Sequence, residues 1–250
     1  MSIENRDLLF EFLNTPVFTG DEIYNRFKAL PNAIYSQGKK PLQRYVFVPG
    51  TRADRVVLVA HIDTVWDKVY KTPKKHCVCF KNGIFSSASD ECGIGADDRA
   101  GCAMLWKLRN SGHSLLIVDG EEHGKHGARY LKRSNPKLFK EINNHCFMIE
   151  LDHIKTNHVS FEQVCNSEEF NRYFVEATGF SDYGLNGGCD LEILCKSICG
   201  ANVGVGYSKR HTSKETLSLH EWENTYNVLK SFLSQPMKRF KINIFKRIFF

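Results

Sequence analysis

The chain has 250 residues, 42% of them hydrophobic and 25% charged, a composition that excludes fibrous and largely disordered classes. Lys and Arg outnumber Asp and Glu by 34 to 28, a formal net charge of +6. Lys238, Arg239, Lys241, Lys246 and Arg247 all follow Pro236, so the rest of the chain is close to neutral and a nucleic-acid-binding face is not expected. No apolar run reaches the ~18 residues of a membrane-spanning helix. The first residues lack the basic-then-apolar order of a secretory signal. The nine cysteines are scattered and odd in number, which predicts buried, reduced thiols in a cytoplasmic protein. Neither Cys77-Val78-Cys79 nor the Cys195 and Cys199 pair has the spacing of a zinc knuckle.

In chain order, residues 3–30 show helical spacing interrupted around Pro16 and Gly20. Residues 56–60 read as a buried strand and 99–108 as a helix. A second buried strand follows at 114–118, then a helix at 128–132 and a third strand at 147–151. Helical patterns cover 167–177 and 191–198, a strand covers 203–207, and a last helix covers 220–232. Apolar strands alternating with helices predict a single α/β domain over 1–250, with a mostly parallel, mixed central sheet and helices on both faces.

Polar residues cluster after these strands, at the sheet edge where open α/β folds bind ligands. His61-Ile62-Asp63 places a carboxylate two positions from an imidazole, on the same side of an extended segment. Such a carboxylate can fix the tautomer of a metal-binding histidine, although a turn-forming Asp has the same look. Asp97, in Gly95-Ala96-Asp97-Asp98-Arg99, reads either as a helix N-cap or as a carboxylate able to bridge two ions. Asp119-Gly120-Glu121-Glu122 crowds carboxylates that repel unless cations or solvent separate them. Glu150-Leu151-Asp152 ends the third strand, and Arg210-His211 follows the last. Each signal alone has a bland reading; five at comparable strand ends point together to metal-assisted hydrolysis.

The ordered motifs H-x-D-T-V, G-A-D-D-R-A-G, G-E-E, E-L-D and H-T-x-x-E resemble the two-zinc exopeptidase superfamily over roughly residues 56–228. The likeness is strongest to its tripeptide-aminopeptidase and dipeptidase branch. The closing histidine motif is also similar to that of aminopeptidases without a lid domain. The resemblance implies two Zn²⁺, with Mn²⁺ or Co²⁺ as alternatives. It assigns His61 and Asp152 to one ion, Glu122 and His211 to the other, and Asp97 to the bridge. Asp63 would orient His61, and Glu121 would be the general base. Gly187-Gly188-Cys189-Asp190 is similar to the family's small-residue-Asp motif near the substrate, with Cys189 in place of Ser or Thr.

One departure is clear. Only 58 residues separate Asp152 from His211, too few for the inserted lid and dimerisation domain of the dimeric branch. A monomer is therefore favoured, and Tyr207 and Arg210 become candidates for stabilising the oxyanion. Substrate choice would fall to loops around 66–75 and 180–189. His123, His126, His145, His153 and His158 compete as ligands, with His123 and His153 assigned supporting or solvent-facing positions. His220 is a weaker alternative to His211. The basic, aromatic tail at 237–250 is read as a strand or helix packed on the domain, with contact to an anionic membrane as the alternative. The expected activity is exopeptidase action on short peptides. The alternatives are an amidohydrolase of N-acyl amino acids or an inactive binding module.

Overall fold

The computed structural model describes residues 2–69, 76–161, 164–184 and 188–242. Ser2 caps α1 (Ile3–Leu13) by accepting the Asn5 N–H, and the helix buries Leu9, Phe12 and Leu13. After the break at Pro16 and Gly20, α2 (Asp21–Lys28) buries Ile23, Tyr24 and Phe27. An antiparallel pair follows, β1 (Ile34–Gln37) and β2 (Arg44–Val48), before β3 (Val57–His61) and the short α3 (Trp66–Val69). Next come β4 (Val78–Lys81), β5 (Ile84–Ser87), α4 (Ala96–Leu108), β6 (Ser114–Val118), α5 (His126–Ser134) and α6 (Pro136–Ile142). The remainder is β7 (Met148–His153), β8 (His158–Ser160), α7 (Glu168–Thr178), β9 (Ser181–Asp182), α8 (Leu191–Leu194), β10 (Gly200–Gly204), β11 (Tyr207–Ser208), β12 (Thr216–Ser218) and α9 (Leu219–Leu233).

The main sheet has eight strands in the order β1-β2-β6-β3-β7-β10-β8-β9. Its centre, β6-β3-β7-β10, is parallel, while the β1–β2, β2–β6 and β10–β8 pairs are antiparallel and β9 runs parallel to β8. This is the mixed α/β sheet that the alternation of strands and helices predicts. In β3, Leu58 and Ala60 join the core on one face with Phe12, Met104 and Leu105. Val57 and Val59 join the other, with Leu131 and Leu138. Burial on both faces explains why the strand is apolar at every position.

A second, antiparallel sheet, β11-β12-β5-β4, was not anticipated. Its strands are only two to four residues long with at most one buried position each, so hydrophobic periodicity has little length in which to show. The turn chemistry is nevertheless present: Asn82 and Gly83, both at positive φ, join β4 to β5. Two expected elements also change. The strand at 203–207 divides into β10 and β11 around Gly206, whose φ is +94°. The helix at 191–198 stops at Leu194 because the Asn143 carboxamide oxygen accepts the N–H groups of Lys196 and Ser197 at 2.9 and 3.0 Å.

Cys77 and Cys79 are exposed, contrary to the expectation of buried thiols, while all nine cysteines are unpaired. Both lie on the small sheet's outer region, which has little core to hide them. Residues 237–242 pack against the domain without forming a helix or strand. Phe240 enters the aromatic cluster of Phe147, Phe170 and Tyr173, and Arg239 donates to the carbonyls of Asn143, Asn144 and Ser197. The remainder of the expected tail, 243–250, and positions 70–75 and 185–187 of the proposed substrate loops lie outside the described residues.

At the opposite sheet edge from the strand-end carboxylates, His145 is buried and accepts at Nε2 from Arg55 and Ser114 at 3.1 and 2.9 Å. Its Nδ1 lies 3.1 Å from the Glu141 carbonyl. Burial, reinforced by the Arg55 charge, pushes the imidazole down to about 4. A depressed folded-state pKa contributes stability above the unfolded value of about 6.5 that is lost as pH falls towards 4. Lowering the pH from 7 to 5 should therefore cost wild type about 2 kcal/mol more than His145→Gln in urea unfolding. Equal losses in the two proteins would show that His145 does not carry this dependence.

Candidate functional site

Three parallel strands deliver their terminal side chains to one cleft. β3 ends at His61, which is fully buried. Its Nδ1 lies 3.2 Å from Asp63 Oδ1, and its Nε2 lies 3.2 Å from Asp97 Oδ1 and 3.5 Å from Asp152 Oδ1. Asp63 also accepts from the backbone N–H groups of Gly120, Glu121 and Glu122 at 2.7, 3.0 and 3.1 Å. Burial opposes the charge on Asp63, but the contact with His61 and the Glu121 N–H outweigh it and hold the carboxyl below its ordinary range. The same carboxylate thus orients the imidazole and clamps the turn after β6.

Asp97 is not the cap of α4. Asp98 accepts the Gly101 N–H at 2.9 Å and the His61 N–H at 3.2 Å, leaving Asp97 turned towards the cleft. The peptide bond between Asp97 and Asp98 is cis. Glu215 fixes this segment from below by accepting from Gly95 and Asp97 N–H groups at 2.7 and 3.1 Å. Close packing of α4 on β7 also depends on Gly101, where a Cβ would collide with the Leu151 carbonyl oxygen. Glu215 belongs to the H-T-x-x-E motif, but its work on Asp97 was not anticipated; only its place four residues after His211 gave a signal.

Two groups of potential ligands share Asp97: His61, Asp97 and Asp152, and Asp97, Glu122 and His211. In each, the candidate ligand atoms lie within 4.8 Å of one another. His211 Nε2 is 3.1 Å from Asp97 Oδ2 and 2.7 Å from Glu122 Oε1. Neither of these buried oxygens has a hydrogen bond of acceptable geometry among the described residues. Burial and mutual repulsion drive Asp152 up to about 8, and burial drives Glu121 up to about 9. His211, beside Asp97 and Glu122, rises to about 10. Orphaned oxygens, clustered carboxylates and paired imidazoles form the donor set that suits zinc, so the residues fit the implied metal.

Other sequence expectations separate here. Tyr207 is buried and its hydroxyl donates to Asp152 Oδ1 at 3.0 Å, which occupies it as a support for that carboxylate instead of an oxyanion donor. Arg210 does reach the cleft, with Nη1 3.8 Å from Asp97 Oδ2. Glu150 turns away and accepts the N–H groups of Asp190 and Leu191, both at 3.2 Å, while the Cys189 thiol also bonds to it. His145 lies at the other sheet edge, and His153 packs with His158 and Tyr183. His220 is exposed in the first turn of α9. The described residues bring none of the competing histidines, His123 and His126 included, into either ligand group.

The cleft is a cavity of about 320 Å³ whose walls include Glu121, Lys125, Gly188 and Arg210 as well as four of the five candidate ligands. A larger cavity of about 860 Å³ lies between the β1–β2 turn and Asp119 and contains none of those ligands. Size therefore does not mark the chemistry here; the side chains do.

A comparison with solved structures finds this architecture in several peptidases. Aminopeptidase PepT from Bacillus cereus superposes with a TM-score of 0.69 at 14% identity, covering 92% of this chain and 97% of that one. A Staphylococcus aureus tripeptidase gives 0.64 at 12% identity, covering 92% and 97%. The Pyrococcus horikoshii TET1 peptidase, which can assemble into a tetrahedron or a large octahedral shell, gives 0.63 at 14%, covering 92% and 99%. At these identities the likeness is one of fold. A search of curated proteins found no match. The model of Peptidase family M28 matches residues 45–182, a segment containing His61, Asp63, Asp97, Glu121, Glu122 and Asp152 but ending before His211. A match over more than half of the chain, on this sheet and with these motifs, makes the protein a member of Peptidase family M28 and hence a metallopeptidase of the exopeptidase superfamily.

Proposed function

We propose that the protein is a binuclear zinc exopeptidase, most simply an aminopeptidase, acting on short peptides. The observation that carries this reading is the sharing of Asp97 between two ligand groups at the ends of β3, β6 and β7. His61 and Asp152 would hold one ion, Glu122 and His211 the other, with Asp97 between them. Zinc bound there supplies a Lewis acid for the scissile carbonyl and an acidified water. Mn²⁺ or Co²⁺ would serve the same donor set.

The chain's own residues divide the remaining work. Glu121 accepts the proton of the attacking water and returns it to the leaving amine. Asp63 keeps His61 in the tautomer that offers Nε2 to the ion, and Tyr207 steadies Asp152. Arg210, at the cleft wall, faces developing negative charge on the carbonyl oxygen. We place the enzyme in the reducing cytoplasm, a reading supported by nine unpaired cysteines, two of them exposed. No helix among the described residues is long and apolar enough to cross a membrane. The monomer favoured by the sequence finds no support in the assembling TET1 neighbour.

Protein reconstituted with zinc and exhaustively exchanged into buffer should retain about two equivalents by elemental analysis. Asp97→Ala should lose most of that zinc, since it removes a ligand from both groups. Full retention in the variant would take Asp97 off the bridge. Glu121→Gln should keep both ions while kcat for a short peptide falls at least about 100-fold. Near wild-type turnover would remove Glu121 from the proton-transfer role.

A further inference from the structure

Lys125 lies in the turn between β6 and α5, four residues after the proposed base, and has φ +59°. Its Nζ is 3.8 Å from Glu121 Oε1 and 3.5 Å from Glu192 Oε1. The side chain is only 15% exposed and lines the same cavity as the candidate metal ligands. Gly188 stands directly against this pair. A Cβ there would stand 2.6 Å from both Lys125 Nζ and Glu192 Oε1. The ammonium is thus held against the 188–192 segment by Glu192, with Glu121 at longer range. Neither contact saturates the three N–H donors of an ammonium.

The position of this cation relative to the base identifies what it faces. In the proposed reaction Glu121 delivers its proton to the leaving nitrogen, so the leaving residue lies beside Glu121. Lys125 borders that same side, whereas Arg210 stands near Asp97, Asp152 and Tyr207. In a free amino acid the carboxylate carbon is about 2.5 Å from the nitrogen, by standard backbone dimensions. A leaving residue with a free carboxylate would therefore carry its negative charge into the reach of Lys125. A leaving residue that continues into a longer peptide presents a neutral amide at the same place. Burying that amide against an ammonium gains much less than a charge-assisted hydrogen bond.

We infer that Lys125 is a specificity-determining residue that binds the free α-carboxylate of the leaving amino acid, so that the preferred bond is the last one before a carboxyl terminus, as in dipeptides. This rests on the peptidase reading above and specifies the substrate class of that site. It also makes N-acyl amino acids, whose leaving group is the same, a chemically matched class.

The test compares a dipeptide acid with the dipeptide amide of the same sequence, which share one scissile bond and differ only in the terminal charge. The zinc-reconstituted full chain should cleave the acid with a kcat/KM at least about tenfold above that of the amide, chiefly through KM. Lys125→Met should bring the ratio close to one, and Lys125→Arg should restore part of it. A role confined to supporting Glu121 would lower both substrates alike and leave the ratio unmoved, which would overturn the inference. Equal cleavage of acid and amide by wild type would overturn it as well, while leaving the peptidase reading intact. If neither these substrates nor longer peptides are cleaved by protein holding its zinc, the peptidase reading itself fails.

Discussion

The buried carboxylate of Asp63 ties the candidate site together. It accepts from three successive backbone N–H groups, of Gly120, Glu121 and Glu122, and contacts His61 Nδ1. Those four groups belong to the ends of two adjacent parallel strands, β3 and β6, whose register pairs His61 with Val118. A solvent-shielded charge of this kind is stable only when its acceptor capacity is filled. Filling it fixes the relative positions of an imidazole and two carboxyl-bearing residues without spending any of their functional atoms. His61 Nε2 and the side chains of Glu121 and Glu122 remain directed into the cleft.

The same separation of supporting from functional groups recurs on the other strands. Asp98 takes the helix-end and strand-end N–H groups, and Glu215 takes those of Gly95 and Asp97, so Asp97 has both oxygens available to the cleft. Tyr207 donates to Asp152 from β11, which makes the small antiparallel sheet part of the site's scaffold. The concentration of carboxylates that results is unfavourable in isolation, because burial and like charge both oppose ionisation. Positive charge from bound ions would relieve it, and that balance is the physical reason a metal centre follows from these supports.

Most of the candidate site was legible in the sequence because its chemistry is carried by residue types that are costly to place at buried strand ends. His61, Asp97, Glu122, Asp152 and His211 come together as the order of motifs implied. The central strands were legible for a related reason: burial on both faces leaves an apolar run. What escaped was set by tertiary contacts. Asp98 and Glu215 look like an ordinary helix-start residue and a loop acid until the backbone N–H groups they receive are known. Tyr207 seemed available for catalysis because nothing in its neighbourhood along the chain reveals Asp152 across the fold. The hairpin of β4 and β5 offered only Asn82 and Gly83, since its faces alternate too weakly to announce a buried side.

The short connection between Asp152 and His211 places particular demands on the walls of the cleft. With 58 intervening residues already forming β8, α7, β9, α8, β10 and β11, the described chain must line the site with segments whose first duty is to complete the sheet and its cover. Gly188, ahead of the short α8, and Glu192, within it, lie on the wall that holds Lys125, and Arg210 follows β11 on the wall beside Asp97. Two cations thereby stand beside a carboxylate-rich centre, Lys125 near Glu121 and Glu192 and Arg210 near Asp97. Such restraint reduces the side-chain entropy lost when a ligand is engaged. It also fixes where these two positive charges stand, so discrimination by the cleft depends on where a peptide carries its own charge as much as on the size of its side chains.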